Sequence, residues 1–171
     1  MQYYYKYKTP ANFDDMIMVS DGTFLTGLYF ENSSDANKHK DLSEEKWLDV
    51  FKETKRWLDI YFSGNEPDFY PSYKVNNLTE FRKEVSDILK KIPYGETISY
   101  NDIAVRVAKK RGINKMSAQA VGGAARENPI CIIIPCHRVI GKNKRLVGYG
   151  DGLNNKTELL NLEKMNKKEI N

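Results

Sequence analysis

Five consecutive apolar side chains, Ile130-Cys131-Ile132-Ile133-Ile134, stand between Pro129 and Pro135 and hand the chain on to Cys136, His137 and Arg138. A run with no polar position has no face to offer to water, so it belongs in an interior, and its β-branched residues predict a strand buried on both sides. Asn128-Pro129 ends any helix before it, because proline pushes its predecessor out of helical geometry. A thiol and an imidazole thus emerge together from a rigid interior element. A thiol is a strong nucleophile only as the thiolate, and a neighbouring base or cation lowers its pKa from about 8.5. Adjacent side chains on an extended segment point to opposite faces, so His137 reaches Cys136 only through a sharp turn or a bridging water. The competing reading of any such cysteine is an inert, buried small hydrophobe. Cys131, with no polar neighbour, is read that way.

Those two cysteines are the only ones, and His39 and His137 the only histidines. A bridge from Cys131 to Cys136 would need distorted geometry if the apolar run is a strand, so both thiols are expected free. Nothing matches a four-ligand zinc spacing, and no metal or cofactor is expected. No apolar run approaches the roughly 20 residues that cross a bilayer, and MQYYYKYKTP lacks the features of a secretory signal. The expectation is a cytoplasmic protein. Net charge is +4, but its distribution is more informative: residues 1–80 carry 9 Lys/Arg against 14 Asp/Glu, and residues 81–171 carry 18 against 9. A basic half beside an acidic half suggests that one part faces a polyanion, although a merely solvated basic surface would look the same.

Along the chain, Ile17–Ser20 and Thr23–Phe30 flank Asp21-Gly22, a two-residue hairpin signal. Residues 31–41 are polar and read as a loop. From Ser43 a helical pattern places Trp47, Phe51, Leu58 and Tyr61 near one face, with Gly64 as the stop. Pro67 and Pro71 mark a connecting segment, 65–77, which sets a boundary between residues 1–76 and 77–171. Thr79 caps a helix with apolar face Phe81, Val85, Ile88, Leu89 and Ile92, ended by Pro93 and Gly95. Ser99 and Asp102 resemble a capping box opening a helix through Ala108. Ser117 caps a third helix, Ala118–Arg126. Two short helices joined by a turn fit a helix-turn-helix, though many such hairpins never touch DNA. Gly122-Gly123 weakens that third helix by roughly 1 kcal/mol per glycine relative to alanine. Close packing on a neighbour would explain the pair; so would a slim helix made to enter a DNA groove. The fold class expected is α+β: a small N-terminal α/β domain with an antiparallel sheet, and a mainly helical C-terminal domain with a winged-helix-like helix-turn-helix.

Pro135-Cys136-His137-Arg138-Val139, preceded by Asn128-Pro129 and by Ala120-Val121-Gly122-Gly123, resembles the O6-alkylguanine-DNA alkyltransferases, also called methylated-DNA–protein-cysteine methyltransferases. Ile92-Pro93-Tyr94-Gly95-Glu96-Thr97-Ile98-Ser99-Tyr100 is similar to the family's opening helices, and Gly148-Tyr149 with Gly152 through Glu163 to its closing loop and last helix. The resemblance runs over residues 77–165 and more loosely before them, mainly through residues 57–64.

That resemblance implies repair of O6-alkylguanine in double-stranded DNA: the base is flipped from the minor groove and its alkyl group moves irreversibly to Cys136, once per molecule. O4-alkylthymine is a further substrate of interest. It implies that His137 takes the thiol proton through water, that Glu163 orients His137, and that Tyr100 protonates or hydrogen-bonds guanine N3. Asn128 matches the hinge behind the recognition helix. Val139 would offer its carbonyl to the guanine amine, while Tyr149, Gly150 and Asp151 would close over the base. Ser99, Ala118, Gln119, Ala120, Gly122, Gly123 and Arg126 would contact DNA. Gln119 stands where many members carry an arginine, which predicts weaker non-specific DNA binding with chemistry retained. Asp151 stands where some relatives have a small residue and is expected to disfavour bulky or anionic adducts. DNA is the implied partner, with a monomer and no obligatory protein partner. The alternatives are an alkyltransferase-like protein that binds damage without transfer, disfavoured by the presence of Cys136, and a Cys-His hydrolase, for which no oxyanion hole is identifiable.

Overall fold

Residues 1–141 and 153–170 are described by the structure, a computed structural model of the chain. The sequence opens with strand β1 (Tyr3–Tyr7), which the apolar pattern did not reveal because all five of its residues are tyrosine or lysine. It pairs antiparallel with β2 (Met16–Ser20), and β2 with β3 (Leu25–Phe30). All five residues of β2 are buried. The cause is a second helix not expected from the sequence: residues 31–41, read as a loop, contain α1 (Ser34–Asp41), whose N-cap Ser33 accepts from the Ala36 amide. α1 covers Ile17, Val19 and Tyr29 on one side of the sheet, and α2 (Asp49–Phe62) covers Met16, Met18 and Phe30 on the other. With a single apolar residue buried, α1 shows no amphipathic stripe, and its cap decides the structure.

The hairpin joins β2 to β3 as expected, but its connection is longer than two residues. Asp21 Oδ1 accepts from the Thr23 and Phe24 amides, and Gly22 takes a positive φ of 108°. Nor is the sheet wholly antiparallel. β4 (Glu44–Glu45) adds to β1 in parallel, giving the order β3-β2-β1-β4. The helical pattern assigned from Ser43 therefore begins six residues later, and Trp47 lies outside α2, edge-on to Tyr5 at 5.0 Å between ring centroids. The helix stops where expected, with Gly64 at φ 96°.

The second half follows its capping signals closely. Thr79 caps α3 (Glu80–Leu89) through the Arg82 amide. Ser99 and Asp102 form a reciprocal capping box at the start of α4 (Tyr100–Arg111), which runs three residues past Ala108 to a left-handed Gly112. Ser117 caps α5 (Ala118–Arg126). α5 packs against both α3 and α4 across the turn of residues 112–117, the arrangement a helix-turn-helix requires.

The largest departure concerns the apolar run. Residues 130–134 are all buried, as expected, yet they do not form a strand. Only Ile130 bridges to a strand, through Leu28 of β3, and the chain then coils so that the Ile134 amide reaches the Ile130 carbonyl at 3.1 Å. Ile132 sits at φ 70°, a conformation in which a β-branched residue is strained. A strand needs neighbours on its edges; here, beyond the Cys131 amide's bond to the Leu28 carbonyl, the hydrogen bonds are local. The Asn128 Nδ2 donates to the carbonyls of Ile130 and Ile134, and its Oδ1 accepts from the Ile130 amide.

After that coil comes a 3₁₀ turn (Cys136–Arg138) and β6 (Val139–Ile140), parallel to β5 (Ile98–Ser99). The last element is α6 (Leu153–Ile170). The N-terminal half grips it: Asn155 Nδ2 donates to Asp14 Oδ2, and Asn12 Nδ2 to Glu158 Oε2. One hydrophobic cluster runs from Met16 and Leu28 through Phe51 and Tyr61 to Ile103, Val121, Ile133 and Leu159.

Candidate active site

The coil and the 3₁₀ turn replace the extended geometry that would have sent Cys136 and His137 to opposite faces. Cys136 is 6% exposed, and its Sγ accepts from Asn128 Nδ2 at 3.2 Å. The amide that staples the apolar coil thereby also holds the sulfur. Cys131 is buried too, and among the described residues neither cysteine is in a disulfide.

His137 is wholly buried. Its Nε2 lies 2.5 Å from Glu163 Oε2, while its Nδ1 is buried with no hydrogen-bond partner among the described residues. A carboxylate only accepts, so Nε2 carries the proton and Nδ1 keeps its lone pair. Burial lowers the His137 pKa, opposed by Glu163 and reinforced by Arg138 and Lys156, and the net direction is down. At neutral pH the ring is a neutral base.

Glu163, 1% exposed, is held ionised by four donors. Burial works against its charge, but His137 and Arg138 outweigh it and keep the carboxyl well below the usual range. His137 Nε2 and Tyr61 OH, at 2.6 Å, share Oε2; Arg138 Nε, at 2.8 Å, and the Gly95 amide, at 3.0 Å, share Oε1. Arg138 also donates to the Ile92 carbonyl. The four lone-pair directions of the carboxylate are all filled.

Pairing of β5 with β6 sets Tyr100, the first residue of α4, beside this centre. Burial raises the Tyr100 pKa, and the proximity of Cys136 raises it further. Lys156 was not anticipated from the sequence. Its Nζ donates to the Val139 carbonyl at 2.6 Å and lies 3.5 Å from Tyr100 OH. Burial lowers its pKa to about 8, against the pull of Cys136. It hid in the polar string Asn154-Asn155-Lys156-Thr157, where the available signal was spacing: Lys156 and Glu163, seven residues apart, share a helical face. That face, with Asn155 and Leu159, is buried. The Val139 carbonyl expected to meet substrate is therefore already engaged by Lys156, leaving its second lone pair. Tyr61 was likewise read only as part of an apolar face.

Beside Tyr100 opens a cavity of about 860 Å³ lined by residues 97–102, Ala118, Gln119, Ile140 and Gly141, with Ser99 among them. Gln119, Ala120, Gly123 and Arg126 lie on the exposed side of α5. Among the described residues, the glycine pair is not explained by close packing. A Cβ at Gly122 would make ordinary contact with the Tyr100 ring, and one at Gly123 would have nothing within 4 Å. Tyr149, Gly150 and Asp151 lie outside the described residues.

Comparison with known proteins bears on the same segments. Residues 80–165 match the family described as 6-O-methylguanine DNA methyltransferase, DNA binding domain. A methylated-DNA–protein-cysteine methyltransferase of Haemophilus influenzae is 36% identical over 163 residues, 95% of this chain and 87% of that one. A crystal structure of the Mycobacterium tuberculosis O6-methylguanine methyltransferase superposes with a TM-score of 0.81 at 34% identity, covering 97% of this chain and 94% of the other. The M. tuberculosis OGT in complex with DNA gives 0.79, at 34% identity over 96% and 94%. A match that starts at the first turn of α3 and takes in Glu163, together with relatives that span both halves, places this chain in the methylated-DNA–protein-cysteine methyltransferase family.

Proposed function

We infer that this chain repairs DNA by transferring the alkyl group of O6-alkylguanine to its own Cys136, in one irreversible turnover. The observation that carries the reading is the orientation of His137: one ring nitrogen is tied to an ionised, four-fold-bonded Glu163, and the other keeps a buried lone pair beside the cysteine's turn. That is the nucleophile, base and orienter order of covalent catalysis. The thiol proton passes through water to His137 Nδ1, and Glu163 stabilises the imidazolium. The sulfur then attacks the alkyl carbon, the S–C bond forming as the C–O6 bond breaks. Guanine leaves with its electron pair as Tyr100 donates toward N3. Lys156 favours negative charge on the sulfur. The thioether on Cys136 is not cleaved, so the protein is consumed.

To reach O6 the base must leave the stack, at a cost of a few kcal/mol. α5 suits insertion into the minor groove, since its outward side carries Gln119, Ala120 and Gly123 and ends at Arg126, a phosphate contact. Asn128 couples α5 to the sulfur. Val139 faces the flipped base, and the protein acts as a monomer. Among the described residues no helix is long and apolar enough to cross a membrane.

The test is mass spectrometry of the protein after incubation with a duplex oligonucleotide carrying O6-methylguanine. A stoichiometric gain of one methyl group on Cys136, abolished in Cys136→Ser with DNA binding retained, is the expected result. Multiple turnover, or tight binding without gain, would overturn it.

A further inference from the structure

Tyr61, on α2, is 1% exposed and its hydroxyl lies 2.6 Å from Glu163 Oε2, the same oxygen that faces His137 Nε2. The residues lie 102 positions apart, so the contact spans the two halves of the chain. Burial, reinforced by Glu163, pushes the Tyr61 phenol well above its ordinary pKa, so it keeps its proton and can only donate to an ionised carboxylate. Trp57 stacks on its ring at 5.5 Å, and Tyr94 meets it edge-on at 6.2 Å, which fixes the direction of the hydroxyl.

We propose that Tyr61 is a positioning residue for the proton transfer, and that through it the N-terminal half sets how strongly His137 holds a proton. The proposal rests on the transfer reading for its role, but its physical content does not. A second donor on Oε2 spreads the negative charge that His137 feels. Without it Oε2 draws more strongly on the His137 N–H, and the protonated ring is favoured. The other charged or titratable groups around the pair stay in place: Arg138 and Cys136 on the same turn, Lys156 on α6, and Tyr94 ahead of β5. Oε1 keeps Arg138 and the Gly95 amide, so Glu163 stays ionised and in position. The substitution therefore changes one hydrogen bond and leaves the rest of the network standing.

The experiment is Tyr61→Phe in the full chain, with the His137 ring titrated by ¹⁵N NMR in the variant and in the parent protein. The His137 pKa should rise by about one unit on loss of one charge-assisted hydrogen bond. In single-turnover transfer from O6-methylguanine duplex, the acidic limb of the pH–rate profile should move up by the same amount. The alkaline plateau should stay within about threefold, and DNA affinity should be unchanged. An unchanged His137 titration, or a rate loss of equal size at every pH, overturns the proposal; the latter is what a merely structural role gives. Should Tyr61→Phe not fold, the parent protein still decides. A slowly exchanging Tyr61 hydroxyl proton with a nuclear Overhauser contact to the His137 Hε2 proton supports the arrangement, and its absence refutes it. If the parent protein gains no methyl group, the transfer reading fails alone, because the ring titration needs no activity.

Discussion

Gly123 offers a test of α5 in which stability and DNA binding should move in opposite directions. In a helix interior alanine is favoured over glycine by about 1 kcal/mol. The methyl group of Gly123→Ala meets no atom of the described residues within 4 Å, so no steric term offsets that gain. For a chain of this size about 1 kcal/mol corresponds to roughly 2–4 °C in Tm. Leucine has a propensity close to that of alanine, so Gly123→Leu should raise Tm by a similar amount. If α5 enters a groove, however, the added volume falls between helix and DNA. Affinity for a short duplex should drop modestly for alanine and by about tenfold or more for leucine, a loss of at least 1.4 kcal/mol. The two measurements are thermal unfolding by circular dichroism and duplex binding by fluorescence anisotropy at fixed salt. Leucine and parent proteins with equal duplex affinity would refute the groove assignment. A fall in Tm for alanine would refute the claim that the position is sterically open.

Gln119→Arg adds a cation on the same exposed side. It should tighten binding to undamaged duplex and steepen the dependence of log K on log salt by about 0.9 per phosphate engaged; unchanged affinity and slope would remove Gln119 from the interface. Lys156 has a folded pKa of about 8, below its unfolded value. The unfolded chain therefore binds more protons between about pH 8 and 10.4, and this lysine's contribution to stability rises with pH across that window. The Tm difference between Lys156→Met and the parent should shift in the parent's favour from pH 8 to 10, and a constant difference would contradict it. Glu163→Gln leaves Arg138 buried without its counter-charge, a loss of about 3–5 kcal/mol at neutral pH. The folded pKa of Glu163 is depressed, so its contribution is complete above the unfolded value of about 4.3 and fades as pH falls toward the folded one. Denaturant titrations at pH 7 and pH 3 should show the gap narrowing.

Helix boundaries in the second half were legible because capping is local chemistry: Thr79, Ser99 with Asp102, and Ser117 each act on amides three residues away. The family resemblance pointed to Cys136, His137, Glu163, Asn128 and Tyr100, and the structure brings Asn128 to Cys136 and His137 to Glu163. The apolar run was assigned correctly to the interior and wrongly to a strand. Burial follows from composition, but strand or coil depended on Asn128, whose side chain supplies the hydrogen bonds a neighbouring strand would have given. α1 escaped because a helix with one buried residue has no stripe to detect. Lys156 and Tyr61 escaped for opposite reasons. A lysine in a polar string looks solvated, and a tyrosine on an apolar face looks like filler. What each does depends on a partner far away in sequence, Val139 for one and Glu163 for the other.

The grip of the N-terminal half on α6 bears on how the protein can fail. Asp14, Asn12 and Tyr61 fasten three successive portions of that helix, at Asn155, Glu158 and Glu163. Heat or a protease that loosens the sheet would release the very rod on which His137 leans through Glu163, without touching the caps of α3, α4 and α5. Damage to the acidic half should therefore silence the chemistry while duplex binding persists, leaving a molecule that occupies a lesion without clearing it.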